Sequence, residues 1–235
     1  MMNKLAMILL LPILFIVGRE NTPLYTSHNS MLSSKSDIEK YITKDEVITD
    51  SNEALEKLKE GNKRFINDKS QLINVTSERR NQLEESQNPY AVIVSCADSR
   101  VTPSLIFNCG LGEIFNISIA GNVIDEDALG SIEYGAEHLH APLLVIMGHE
   151  NCGAVTAAYD KLKNGTEAEG NINAIVDKIL PNIKYSKNLN DAIKDNITGV
   201  YNEVLENKIV KNLVQQGKLK VVKAYYDLDG TVEFQ

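Results

Sequence analysis

Three short runs along the chain are too apolar for strands with one wet face: Tyr90-Ala-Val-Ile-Val-Ser95, Ile114–Ile119 and Leu143–Met147. Each reads as a strand buried on both sides, the pattern of a parallel sheet. Between the second and third, Leu129, Ile132, Ala136 and Leu139 recur at helical spacing, so strand, helix and strand follow as in a right-handed crossover. Upstream, Asp50 followed by Glu53 marks a helix N-terminus, with Ala54, Leu55, Leu58, Phe65 and Ile66 as its apolar stripe and Gly61 weakening its end. A short polar helix is expected over Arg79–Glu85, ended by Asn88-Pro89. Downstream, helices are expected over Ala154–Leu162, Ile172–Leu180 and Ile197–Gln216. Lys218–Leu228 follows as a last strand, which Asp229-Gly230 turns into a hairpin with Thr231–Phe234. The expected fold is a single α/β domain with a mainly parallel central sheet flanked by helices.

The first residues follow a different pattern. Lys4 and the apolar stretch Leu5–Val17 read as an export signal ending near Gly18, too short for a comfortable transmembrane helix; an uncleaved anchor is the alternative. Residues 19–49 are polar and without periodicity, a linker, and the domain is expected over residues 50–235. The protein is therefore expected to be exported, periplasmic or secreted, with no stable membrane partner beyond that segment. The chain has 235 residues and a formal charge of −8. That balance argues against nucleic acid as a partner, because phosphate binding needs a basic face. Its three cysteines are too few for a disulfide scaffold, and their odd number leaves at least one unpaired within the chain.

Two of those cysteines stand where chemistry is expected. Cys96 follows the first buried strand, and Gly148-His-Glu-Asn-Cys-Gly153 follows the third. Open α/β sheets carry their sites beyond the carboxyl ends of parallel strands. His149 and Cys152, spaced i, i+3, can reach one ion, and with Cys96 they form a Cys₂His set suited to a zinc that keeps a fourth position open. A Cys96–Cys152 disulfide is the rival reading in an oxidising compartment. Two residues beyond Cys96 comes Asp98, and two further Arg100, a guanidinium able to clamp the carboxylate and keep it ionised. Cys109 is left over as a buried structural thiol.

These motifs resemble those of the β-class carbonic anhydrases. Cys96-Ala-Asp-Ser-Arg100 and Gly148-His-Glu-Asn-Cys-Gly153 carry the likeness most specifically. Gly61-Asn-Lys-Arg-Phe65, Ala120-Gly-Asn122, Ser131-Ile-Glu-Tyr134 and Ala224-Tyr-Tyr-Asp-Leu-Asp-Gly230 extend it over about residues 50–234. The resemblance implies one zinc per subunit on Cys96, His149 and Cys152, and Asp98 and Arg100 as a catalytic dyad. It further implies Gln87, Phe115, Tyr134 and Gly153 as substrate-binding positions. The implied reaction is the reversible hydration of carbon dioxide to bicarbonate and a proton by a zinc-bound hydroxide that the dyad orients. The implied assembly is a homodimer or homotetramer. Ile93 and Ser95 stand where one subgroup has Trp and Gly, while Gln87 is kept, so the chain resembles the other subgroup, in which the site stays open and active at neutral pH. Ser118 stands where many members have Arg. A non-catalytic zinc or thiol protein on the same fold, and a hydrolase acting on carbon disulfide, are the competing readings.

Overall fold

The computed structural model describes residues 47–235, so the expected signal and most of the expected linker lie outside the described residues. The polypeptide runs α1 (Ser51–Ile66), α2 (Ser77–Gln82), β1 (Ala91–Ser95), a one-turn α3 (Pro103–Ile106), β2 (Ile114–Ser118) and a 3₁₀ turn at Ala120–Asn122. Then follow α4 (Glu126–Glu133), a π turn (Tyr134–His138), β3 (Leu143–His149), α5 (Gly153–Asn164) and α6 (Ile172–Ile183). The chain closes with α7 (Leu189–Glu206), α8 (Lys208–Gln215), β4 (Lys220–Tyr226) and β5 (Val232–Phe234). The strands form one sheet in the order β2-β1-β3-β4-β5, parallel except for the final antiparallel hairpin.

Both faces of the central strands are buried, which explains their unbroken apolar runs. Val92, Val94, Leu144 and Ile146 point into a core closed by α4 through α8; Ala91, Ile93, Val145 and Met147 point into a second core beneath α1 and α3. The Asp50 carboxylate caps α1 by accepting from the Asn52 and Glu53 N–H groups, as its spacing predicts. Leu55 and Leu58 pack on the molecule's own sheet rather than on an open face. Gly61 has a role that its low helix propensity hides: a Cβ there would collide with the Phe107 carbonyl just past α3, so its absence lets the two elements touch.

Two expectations need correction. The long helix expected over Ile197–Gln216 is two helices, and the first begins eight residues earlier, at Leu189. Asn207 ends the first and caps the second, its side-chain oxygen accepting from the Ile209 and Val210 N–H groups. An Asn offering its own backbone an alternative partner breaks the helix although apolar residues stand on both sides of it. The helix expected over Leu129–Leu139 also starts earlier, at Glu126, behind the Asp125 cap. Its last turn widens to a π turn over Tyr134–His138.

Candidate metal centre

The carboxyl ends of β1 and β3 lie side by side, and the two loops leaving them bring Cys96, His149 and Cys152 together. Their donor atoms all lie within 4.8 Å of one another, and all three residues are buried. The sulfurs are 3.9 Å apart and the cysteines are free, so the structure holds two thiols here rather than the rival disulfide. Two thiolates each about 2.3 Å from one tetrahedral ion stand about 3.8 Å apart. His149 is positioned by its own main chain: Nδ1 donates to the Glu150 carbonyl at 2.8 Å, leaving the Nε2 lone pair facing the sulfurs. That Nε2 is buried without a hydrogen-bond partner, a costly arrangement that a metal ion would relieve. Two soft sulfurs and one imidazole fit zinc and leave one tetrahedral position free.

The electrostatics of the sulfurs point the same way. A hydrogen bond donated by the Cys152 thiol, and the N–H of Gly121 3.3 Å from Sγ, favour an ionised Cys96 over the burial that opposes it. Once Cys96 is ionised, the second thiol resists losing its proton, although Cys152 stands at the start of α5 beneath the Ala154 and Val155 N–H groups. A cation removes that conflict by stabilising both thiolates.

Asp98 and Arg100 sit at the rim. The Asp98 carboxylate accepts from the Arg100 Nε (2.9 Å), a terminal guanidinium nitrogen (2.8 Å) and the Arg100 main-chain N–H (2.9 Å). Arg100 holds this carboxyl well below the usual carboxylate range. Asp98 Oδ2 lies 4.0 Å from His149 Nε2, beside the donor cluster. The same guanidinium reaches the Asn151 carbonyl at 3.4 Å, tying together the loops after β1 and β3.

The remaining expected residues are placed unequally. Phe115, on edge strand β2, and Tyr134 form a tilted aromatic pair with centroids 6.1 Å apart, and Tyr134 is 49% exposed rather than core. Gly153 opens α5 beside Cys152, with open space where a side chain would be. Gln87 is exposed and makes no hydrogen bond among the described residues. Ser118 faces Ser95 across β1 and β2 with the hydroxyls 3.3 Å apart, a neutral pair where a charge would have to be accommodated. Glu150, adjacent to His149, accepts from the Leu228 N–H and so braces the β4–β5 turn. Cys109 is buried, its sulfur 3.0 Å from the Tyr90 hydroxyl. Sequence reasoning missed Asn196, a fully buried amide that bonds the Gly121 carbonyl next to the centre. Its signal was a polar residue on the apolar stripe of α7, four positions after Ala192 and three after Ile193.

Residues 91–232 match the family model described as carbonic anhydrase. Carbonic anhydrase 2 of Mycobacterium tuberculosis is 44% identical over 126 residues, covering 54% of this chain and 61% of that relative's length. The carbonic anhydrase of Mycolicibacterium smegmatis is 35% identical over 185 residues, covering 76% of this chain and 90% of the relative. Among solved structures, a Coccomyxa β-carbonic anhydrase in complex with acetazolamide superposes with a TM-score of 0.60 at 24% identity, covering 76% of this chain and 85% of that one. A β-carbonic anhydrase from Sordaria macrospora, one of two described as tetrameric, superposes at 0.59 with 18% identity, covering 66% and 84%. At these identities the structures establish the fold alone.

Proposed function

The chain belongs to the β-class carbonic anhydrases, and from that premise we propose that it catalyses the reversible hydration of carbon dioxide to bicarbonate and a proton at the Cys96–His149–Cys152 centre. The observation that carries the reading is the buried Cys₂His cluster with an unpartnered imidazole nitrogen and an Arg-clamped carboxylate at its rim. Zinc held by Cys96, His149 and Cys152 would supply Lewis acidity and lower the pKa of a bound water to about 7.

The chain's own groups do the rest. Asp98 accepts a hydrogen bond from the attacking oxygen, which turns a lone pair of that oxygen toward the substrate carbon. It stays ionised for this task because Arg100 pairs with both of its oxygens. The same pairing holds the carboxylate out of the donor cluster and supports an open site at neutral pH. Phe115 and Tyr134 offer a neutral substrate an apolar wall, and Gln87 offers bicarbonate an amide with no competing partner. Gly153 keeps the mouth of the site clear of a side chain. We assign the assembly as a homodimer or homotetramer, supported by the exposed edge of β2 at Asn116 and Ser118 and by the half-exposed Tyr134 next to it. Export remains our proposal for the compartment, with the condition that metal reaches the thiolates before oxidation does.

The test replaces Asp98 with Asn, which keeps the shape and removes the ionised acceptor. Zinc content by elemental analysis is expected to stay at the wild-type level, while CO₂ hydration followed with a pH indicator falls by about 100-fold or more. Wild-type turnover in the zinc-loaded variant would contradict the role given to Asp98.

A further inference from the structure

The apolar stripe of α7 is Ala192, Ile193, Ile197, Val200 and Val204, and in its middle stands Asn196, without exposure to solvent. A buried amide is retained in such a place only if its hydrogen bonds are made. Asn196 makes them in a line that ends at the centre. The Asn182 amide of α6 donates to Asn196 Oδ1 at 3.1 Å, and Asn196 Nδ2 donates to the Gly121 carbonyl at 2.9 Å. The N–H of Gly121 donates in turn to Cys96 Sγ at 3.3 Å.

The segment so held does not have its shape by default. Gly121 and Asn122 both have positive φ, 68° and 45°, and a Cβ on Gly121 would approach Ile179 Cδ1 to 2.8 Å. Two consecutive left-handed residues make the direction of the Gly121 N–H depend on what anchors the adjacent carbonyl. Asn196 is that anchor, and Asn182 fixes which end of its amide points at the loop.

Building on the zinc reading above, we propose that Asn196, oriented by Asn182, is a positioning residue for the ligand Cys96, aiming the Gly121 N–H at its sulfur. An N–H donor stabilises the sulfur lone pair, which strengthens the thiolate form and limits the charge it gives to the metal. The acidity of the centre is thereby set partly from α6 and α7, by residues that touch neither metal nor substrate.

The test strips the purified protein of metal and compares wild type with Asn196→Ala, Asn182→Ala and Val204→Ala. Zinc affinity is measured by competition with a chromophoric chelator. With Co(II) bound instead, the near-ultraviolet sulfur-to-cobalt charge-transfer band is recorded. Asn196→Ala is expected to bind zinc about 10- to 100-fold more weakly, with the cobalt band moved to longer wavelength because the sulfur lone pair lies higher. Asn182→Ala is expected to move both in the same direction by less. Val204→Ala removes packing from the same stripe and is expected to lower the melting temperature while leaving the band in place. A folded Asn196→Ala with an unmoved band, or a band that Val204→Ala moves equally, overturns the proposal. If Asn196→Ala does not fold, Asn182→Ala decides on the same criterion. A wild type that takes up neither zinc nor cobalt overturns the metal reading and this proposal with it.

Discussion

At the scale of the residue, the three cysteines divide by surroundings rather than by exposure, since all are buried. Cys96 and Cys152 have each other, an imidazole and main-chain N–H groups; Cys109 has a phenol and an apolar wall. Burial pushes the Cys109 thiol up to about 12 and holds the Tyr90 hydroxyl, its partner, far above its ordinary value. A thiol with a raised folded-state pKa keeps its proton when the unfolded chain has lost it. The stability it lends is therefore intact below the unfolded thiol value near 8.5 and is lost as pH climbs toward 12. The urea midpoint of the wild type is expected to fall between pH 9 and 10.5, Cys109 contributing up to about 1.4 kcal/mol per pH unit. Cys109→Ala should start less stable, with the Tyr90 hydroxyl unpaired, and decline less steeply. Equal slopes for the two proteins would show that Cys109 does not resist ionisation.

At the scale of the element, the sequence declares what a strand buries more clearly than where a helix stops. Tyr90–Ser95 and Leu143–Met147 were legible because both faces of β1 and β3 are covered, so no polar residue interrupts them. The break at Asn207 was not legible, because apolar residues stand on both sides of it, Val204 and Leu205 before and Ile209, Val210 and Leu213 after. The break is nevertheless fixed by chemistry. Asn207 Oδ1 caps α8 while its Nδ2 donates to Glu133 Oε1 at 2.7 Å, joining the helix boundary to the end of α4. Replacing Asn207 with Ala should cost about 1–2 kcal/mol in urea denaturation, the range of a lost helix cap. A wild-type midpoint would mean that the boundary is set by packing alone. The one-turn α3 escaped prediction for a different reason: four residues opened by Pro103 are too few to show a period.

At the scale of the whole molecule, the sheet is a frame that delivers separate pieces of sequence to one edge. Cys96 and His149–Cys152 were legible because a parallel sheet puts the carboxyl ends of β1 and β3 next to each other, whatever lies between them in sequence. Asp98 and Arg100 were legible because a bidentate pair two residues apart closes within its own turn. Gln87 was read from resemblance alone, and an exposed loop residue shows in one chain nothing of what it meets. Asn182 and Asn196 escaped because an Asn on a helix reads as surface until the neighbouring helix covers it. The measurement that bears most directly on the whole account returns zinc stepwise to metal-stripped protein under reducing conditions and follows CO₂ hydration by stopped flow. The rate is expected to be absent without metal, to rise in proportion to added zinc and to level off at one ion per chain. Hydration that persists in the stripped protein, or a chain that fills with zinc and stays inactive, would contradict it.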